Sequence, residues 1–273
     1  MRLGADPELF IATKTVDPSE ATGVFKSHFY KLTTVCGLLK ADKHNPIPIK
    51  GLSNPGFKVQ EDNVALEYNI PPSATKEEFV DNIQIGMKGA LGSLPESSKY
   101  THITDSAMNF PEELLEHPLA KVFGCEPDYN AWTGKVNVMP KTAKATKNLR
   151  TCGGHVHVET DLDKRRVIQA MDITLGVASV LRDINGGLRR KRYGNYGAYR
   201  PKPYGVEYRV LSNFWIFDKS NIEWVWDNTA YALELAADKS VDFEPFQDDV
   251  EKIINKGDTE AARLFCKIHG LSV

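Results

Sequence analysis

Apolar and polar positions alternate in four short runs along the chain. "LGADPELFIA" (3–12) and "NVALEYNI" (63–70) interleave apolar residues with acidic ones, which predicts two strands, the second closed by Pro71 and Pro72. In "GGHVHVET" (153–160), Val156 and Val158 alternate with His155, His157 and Glu159. A strand there puts the two imidazoles and the carboxylate on one face and the valines on the other. "GVEYRVLSNFW" (205–215) predicts a fourth strand. The period changes to that of a helix after Thr75, where an N-cap and an acidic first turn precede Phe79, Ile83, Met87 and Leu91 on one face. Leu162 to Ile184 predicts a longer amphipathic helix capped by Asp161, and 219–238 another, with two short helices in the tail. Between them, 184–205 is rich in Gly, Tyr and Arg and predicts a loop or ribbon.

Strands separated by helices at irregular distances imply an α+β fold on a largely antiparallel sheet. The sequence contains neither an internal repeat nor a linker, so residues 1–273 are expected to form a single domain. Hydrophobic residues make up 41% and charged residues 26%, ordinary for a globular protein and unlike a disordered one. A net charge of −2 and a pI near 6.4 argue against a nucleic-acid-coating chain. With no long apolar run and no leader-like start, the expectation is a cytosolic protein without a membrane span. Cys36, Cys125, Cys152 and Cys266 lie far apart, which suits reduced thiols better than a disulfide frame or a cysteine zinc site.

The same two-residue spacing of polar side chains recurs in all four strands: Asp6 and Glu8, Glu67 and Asn69, His155 and His157, Glu207 and Arg209. Each pair alone reads as a solvated strand face. Four together fit a sheet with one concave polar face, because carboxylates converging in a cleft need cations to neutralise them. Carboxylates with one or two imidazoles suit Mg²⁺ or Mn²⁺. Opposite charge follows in Arg189, Arg190, Lys191, Arg192 and Arg200, among Tyr193, Tyr196, Tyr199 and Tyr204. Guanidinium groups bind phosphate and aromatic rings stack on a base, although a basic surface loop has the same composition. Metal-type carboxylates beside phosphate-type arginines suit a nucleotide-dependent phosphoryl-transfer site.

"GADPELF", "GGHVHV" and "GVEYRVL", in that order, resemble three catalytic strands of the glutamine synthetase and glutamate-cysteine ligase superfamily. "FGCEPDYNAW" and the run from "RYGNYGAYR" through "YGVEYRVLSNFW" are similar to its COOH-NH2 ligase (amidoligase) branch of tailed phages, the phiEco32-like type. The resemblance spans nearly the whole chain. It implies a curved antiparallel sheet forming a half-barrel funnel with helices outside. It also implies ATP- and Mg²⁺-dependent joining of a carboxylate to an amine through an acyl phosphate, in the host cytoplasm if the chain is phage-encoded. Position by position it implies Asp6, Glu8, Glu67, His155 and Glu207 as metal ligands, and Arg209 with Arg200 and Glu207 as catalytic residues. Arg192, Arg200, Arg209, His155 and Tyr204 would meet the nucleotide, and His157 would support its strand by a hydrogen bond. Asp6 stands where glutamine synthetase has Glu, and no ammonium-closing segment is recognisable, so the amine need not be ammonia. The partners expected are a small-molecule or peptide carboxylate and an amine, with no nucleic acid or membrane.

Two other classes compete. The His-x-His strand also opens the cupin metal motif, but a cupin expects its Glu four or five residues beyond the second His, whereas Glu159 comes two after. A non-catalytic phage accessory or nucleotide-binding module retaining the fold is the other; it would have no use for Glu8, Glu67, Glu207 and Arg209 together.

Overall fold

The computed structural model describes residues 1–15, 17, 19, 21, 23–25, 28–121, 128–137, 147–190 and 192–273. Lys191 and the whole "FGCEP" run, with Cys125, lie outside them. Strands are β1 (Arg2–Lys14), β2 (Gly23–Phe25), β3 (His28–Thr33), β4 (Ile47–Pro48), β5 (Lys58–Asp62), β6 (Ala65–Asn69) and β7 (Tyr100–Ile103). They continue with β8 (Ala107–Asn109), β9 (Tyr129–Asn130), β10 (Leu149–Thr151), β11 (Gly154–Glu159), β12 (Ala198–Lys202) and β13 (Gly205–Tyr208). Among the described residues, eleven strands form one sheet with the path β4-β5-β6-β1-β11-β13-β12-β9, and every ladder in it is antiparallel. β8 and β10 form a separate pair. The sheet is open, and with its helices it makes an α+β fold.

Strand alternation divides the sheet into an apolar and a polar face. Leu3, Ala5, Leu9, Leu66, Tyr68, Val156, Val158, Val206 and Tyr208 are all buried in one core. Helices α1 (Lys76–Gly92) and α3 (Lys164–Met171) pack against that face, and α6 (Lys219–Ala237) packs on these two helices. Phe79 of α1 stacks on Trp215 at 5.8 Å between ring centres. Each such large side chain contributes about 1.5–3 kcal/mol by leaving water. The opposite face of β1 changes character along its length. Asp6 and Glu8 face a cleft, whereas Phe10 and Ala12 enter a second core with Leu32, Ile103, Phe110 and Leu115.

Helix α1 begins as expected, with the Thr75 side chain accepting from the Glu78 N–H. The tail forms the two expected helices, α7 (Gln247–Lys256) and α8 (Thr259–His269). The helix expected over 162–184 is corrected in two respects. Its cap is Asp163, which accepts from the Arg166 N–H, rather than Asp161. It is also interrupted by a π-turn, Asp172–Gly176, before resuming as α4 (Val177–Arg182). In that turn the fully buried Asp172 accepts from the Trp132 indole at 2.7 Å, the Tyr208 hydroxyl at 2.8 Å and the Gly197 N–H at 2.5 Å. The strand expected over 205–215 ends at Tyr208 and gives way to a 3₁₀ turn at Asn213–Phe217. Residues 184–205 prove to be a short helix, α5 (Gly187–Arg190), followed by the β12 arm of a ribbon. Among the described residues, no helix is long and apolar enough to cross a membrane.

Candidate active site

Antiparallel register brings the separated polar pairs together. Glu8 lies opposite Glu67, Asp6 opposite His155, His157 opposite Glu207, and Glu207 opposite Arg200. With side chains of paired residues on the same face, these pairings lay one polar band across five strands. Apart from the wholly buried Glu207, the band floors a cleft of about 710 Å³, lined also by Lys43, Asp62, Asp128, Arg189, Arg192 and Lys202.

Within the band the groups sort by charge. Asp6 Oδ1 is 3.1 Å from His155 Nδ1, and its Oδ2 is 3.2 Å from His157 Nε2. Burial pushes Asp6 up, but the imidazoles of His157 and His155 outweigh it and hold the carboxyl well below its usual range. His157 rises despite burial because Asp6 faces it; His155 falls to about 4 through burial and the nearby Arg209. Glu207 is wholly buried. Burial and Asp6 push it up, yet Arg209 and the two histidines bring it down to about 2. Arg209 Nη1 contacts Glu207 Oε1, and Arg209 Nε lies 3.4 Å from Asp128 Oδ2. Lys202 Nζ is 2.5 Å from Glu207 Oε2, and Arg200 Nη1 is 3.6 Å from Oε1.

The other half of the band is an acidic group that its neighbouring cations compensate only in part. Burial and the neighbouring Asp62 push Glu8 up to about 7, against the Gly153 N–H that donates to it at 2.7 Å. Burial, Asp6, Asp62 and Glu8 push Glu67 well above the carboxylate range, and burial raises Asp62. Carboxyl groups whose ionisation is opposed by burial and by one another make a pocket that favours positive charge.

The Gly153–Gly154 pair has a steric cause. A Cβ at Gly153 would lie 2.5 Å from His155 Nε2, and one at Gly154 2.4 Å from the Trp215 indole nitrogen. Trp215 in turn donates to the Gly154 carbonyl at 3.1 Å.

Among the described residues, two sets of donor atoms come within 4.8 Å of one another: Asp6, His157 and Glu207; and Glu8, Asp62 and Glu67. Of the five residues expected as metal ligands, Asp6 and Glu207 fall in one set, Glu8 and Glu67 in the other, and His155 in neither. His157 and Asp62 enter in addition. The donor chemistry suits hard divalent cations: three carboxylates in one group, two with an imidazole in the other. His157 Nε2 and Glu207 Oε2 are buried atoms without an aligned hydrogen bond despite their close charged neighbours, an arrangement a cation at that place would satisfy.

The basic segment is only partly in the cleft. Arg189, Arg192, Tyr193 and Arg200 line it. Arg189 and Arg190 do not form a surface loop: both are buried, Arg189 donating to the Val210 and Arg209 carbonyls at 2.8 and 3.2 Å, and Arg190 paired with Asp183 at 3.3 Å. Tyr196 and Tyr199 are likewise buried, packed beside Trp132 and Tyr129, and do not reach a base in the cleft. Tyr204 is outside the cleft lining, exposed, with its hydroxyl 2.9 Å from His157 Nδ1. Asp62, Asp128 and Lys202 are absent from the expected site residues. For Asp62 the signal exists, since Lys58, Gln60 and Asp62 alternate on the strand beside Glu67.

The segment from before β10 through α6 carries half of this band, and comparison with known families falls on it. Residues 135–241 match the family model of the phage phiEco32-like COOH.NH2 ligase-type 2. That is the family the motifs resemble. The matched stretch, less than half of the chain, contains His155, His157, Arg200, Lys202, Glu207 and Arg209; the β1, β5 and β6 carboxylates lie outside it. The family's description is of a ligase that joins a carboxyl to an amino group. No curated protein matches the chain.

Proposed function

We propose that the protein is an ATP- and Mg²⁺- or Mn²⁺-dependent carboxylate-amine ligase that works through an acyl phosphate, with residues 1–273 forming one catalytic domain. The observation that carries this reading is the polar band itself. It puts two carboxylate-containing groups and a row of Arg and Lys side chains side by side in one cleft, next to a segment matching a COOH.NH2 ligase family. The open antiparallel sheet with helices against its apolar face supports a half-barrel funnel of the glutamine synthetase kind. Host cytoplasm suits a phage-type ligase, and its partners are a carboxylate and an amine.

In this reading Asp6, His157 and Glu207 hold one divalent cation, and Glu8, Asp62 and Glu67 a second. Bound there, the cations neutralise phosphate oxygens and polarise the γ-phosphoryl group of ATP. Arg209 presents its guanidinium to that group, oriented by Asp128 on one side and Glu207 on the other. Arg200 and Arg192 flank it on the cleft wall. The substrate carboxylate attacks the γ-phosphorus and ADP departs; the uncharged amine then attacks the acyl carbon, phosphate departs and the amine proton is lost to solvent. Arg209 matters most while charge spreads over the equatorial oxygens. His155 Nδ1 donates to Asp6 at 3.1 Å and so orients that carboxylate.

The test is incubation with ATP, Mg²⁺ and host extract or candidate acids and amines. The expected product is lighter by one water than its two parents, with ADP and phosphate released. Absence of any nucleotide turnover across acids, amines and metals would favour a binding module instead.

A further inference from the structure

Glu207 is surrounded by more positive charge than one carboxylate requires. Arg209 Nη1 touches it, Lys202 Nζ is 2.5 Å from Oε2, and Arg200 Nη1 and His155 Nδ1 are 3.6 and 3.9 Å from Oε1. The contacts differ in kind. Arg209 forms a hydrogen bond to Oε1, whereas Oε2, though beside the lysine, receives no aligned hydrogen bond. His157 Nε2, in the same donor group with Asp6, also lacks one. The lysine is thus a poorly directed counter-ion at an atom suited to coordination. Its side chain remains 29% exposed, lies on the cleft wall and has a flexible stem.

A divalent cation among Asp6, His157 and Glu207 adds two positive charges where Arg200, Lys202 and Arg209 already converge. Lys202 then loses its electrostatic reason to stay on Glu207, and the cluster acquires a surplus that only an anion can balance. We propose that Lys202 is a further phosphate-binding residue, held on Glu207 until a divalent cation takes that carboxylate, so that metal binds before nucleotide. The inference rests on the ligase reading. Arg200 and Arg209 remain on either side, and Lys202 swings toward the phosphates as a mobile point charge.

Calorimetry with Mn²⁺ and inorganic tripolyphosphate tests it without catalysis. Lys202→Ala should bind Mn²⁺ at least threefold more tightly than wild type, since a competing cation is gone. It should bind tripolyphosphate in the presence of Mn²⁺ at least tenfold more weakly. Glu207→Gln should bind tripolyphosphate without metal at least tenfold more tightly than wild type, because Lys202 and Arg200 lose that counter-charge while Arg209 stays beside Asp128. Unchanged or weakened Mn²⁺ binding in Lys202→Ala, with tripolyphosphate binding intact, overturns the exchange while leaving the ligase reading standing. Wild type that binds Mn²⁺ but no non-hydrolysable ATP analogue removes the ligase reading and the exchange with it. Lys202 is partly exposed and outside both cores, so its alanine variant should fold and can decide the matter even if Glu207→Gln does not.

Discussion

Arg209 is the residue whose chemistry and geometry are hardest to replace. It is 7% exposed, touches Glu207, and reaches Asp128 and His155 at 3.4 Å, so its guanidinium is fixed before any ligand arrives. Lysine keeps the charge but loses the planar fork. In Arg209→Lys, kcat is expected to fall roughly 100- to 1,000-fold, about 3–4 kcal/mol, while Mn²⁺ affinity changes little. Single-turnover kinetics beside Mn²⁺ calorimetry checks this, and near-normal phosphoryl transfer would make Arg209 only a counter-ion. Gly153 gives a second residue-scale outcome. A methyl group there must displace the His155 ring or the Arg189 guanidinium, whose Nη2 is 3.1 Å from the added carbon. Gly153→Ala is expected to cost about 1–3 kcal/mol in urea unfolding, as overpacking of a filled site does. A neutral result would mean the ring has room to turn. The residues of the band are legible in the sequence because a strand's period of two puts them on one face wherever they pair. Asp62 and Lys202 are harder to see. Glu61, between Gln60 and Asp62, is a buried carboxylate that accepts from the Gly37 and Leu39 N–H groups, so "VQED" lacks the apolar alternation of a half-buried strand. Lys202 sits between Pro201 and Pro203 and reads as turn.

At the scale of elements, the sequence predicts helices and strands well where one face is apolar throughout, and badly where a buried polar side chain governs the backbone. The helix expected from 162 to 184 has apolar residues on all sides after Val167, which conceals its break. What distinguishes Asp172 is a carboxylate with three donors and no cation paired to it, at a π-turn facing β12, β13 and Trp132. Burial raises its carboxyl to about 7, against those three hydrogen bonds. The sign follows directly. The folded chain holds this proton at pH values where the unfolded chain, with an ordinary carboxyl near 3.9, has lost it. Stability therefore falls as pH rises from about 4 to 7, and levels off above. Asp172→Asn cannot ionise and escapes that fall, though it loses one acceptor at every pH. Between pH 5 and 8 the variant should gain about 2–3 kcal/mol relative to wild type, whatever its absolute stability. Urea titrations of both proteins at the two pH values measure the difference; parallel profiles would place the proton elsewhere.

For the molecule as a whole, the same packing that stabilises the sheet makes the cleft costly. The apolar face buries Trp215, Tyr68, Tyr208 and Phe79 almost completely, and it holds the strands in the register that forces Glu8, Asp62 and Glu67 together. Lys43, Arg189, Arg200 and Arg209 oppose their repulsion only in part, and Glu8 and Glu67 stay well above their usual range. A protein keeps such a cluster against its own stability when a ligand repays it. Glu8→Gln removes one charge and preserves the shape, including an oxygen to accept from the Gly153 N–H. Without metal, the variant is expected to be more stable than wild type by about 1 kcal/mol or more, raising Tm by ~2–4 °C for each kcal/mol. With Mn²⁺ the order should reverse. At a hundred times its dissociation constant a ligand adds about 2.7 kcal/mol to the state that binds it, and only wild type has the full donor set at Glu8, Asp62 and Glu67. Thermal unfolding of both proteins with Mn²⁺ and with chelator shows whether the curves cross. If Glu8→Gln is less stable than wild type even in chelator, Glu8 is holding the Gly153 turn as a structural ion, and the acidic end of the cleft is not a cation site.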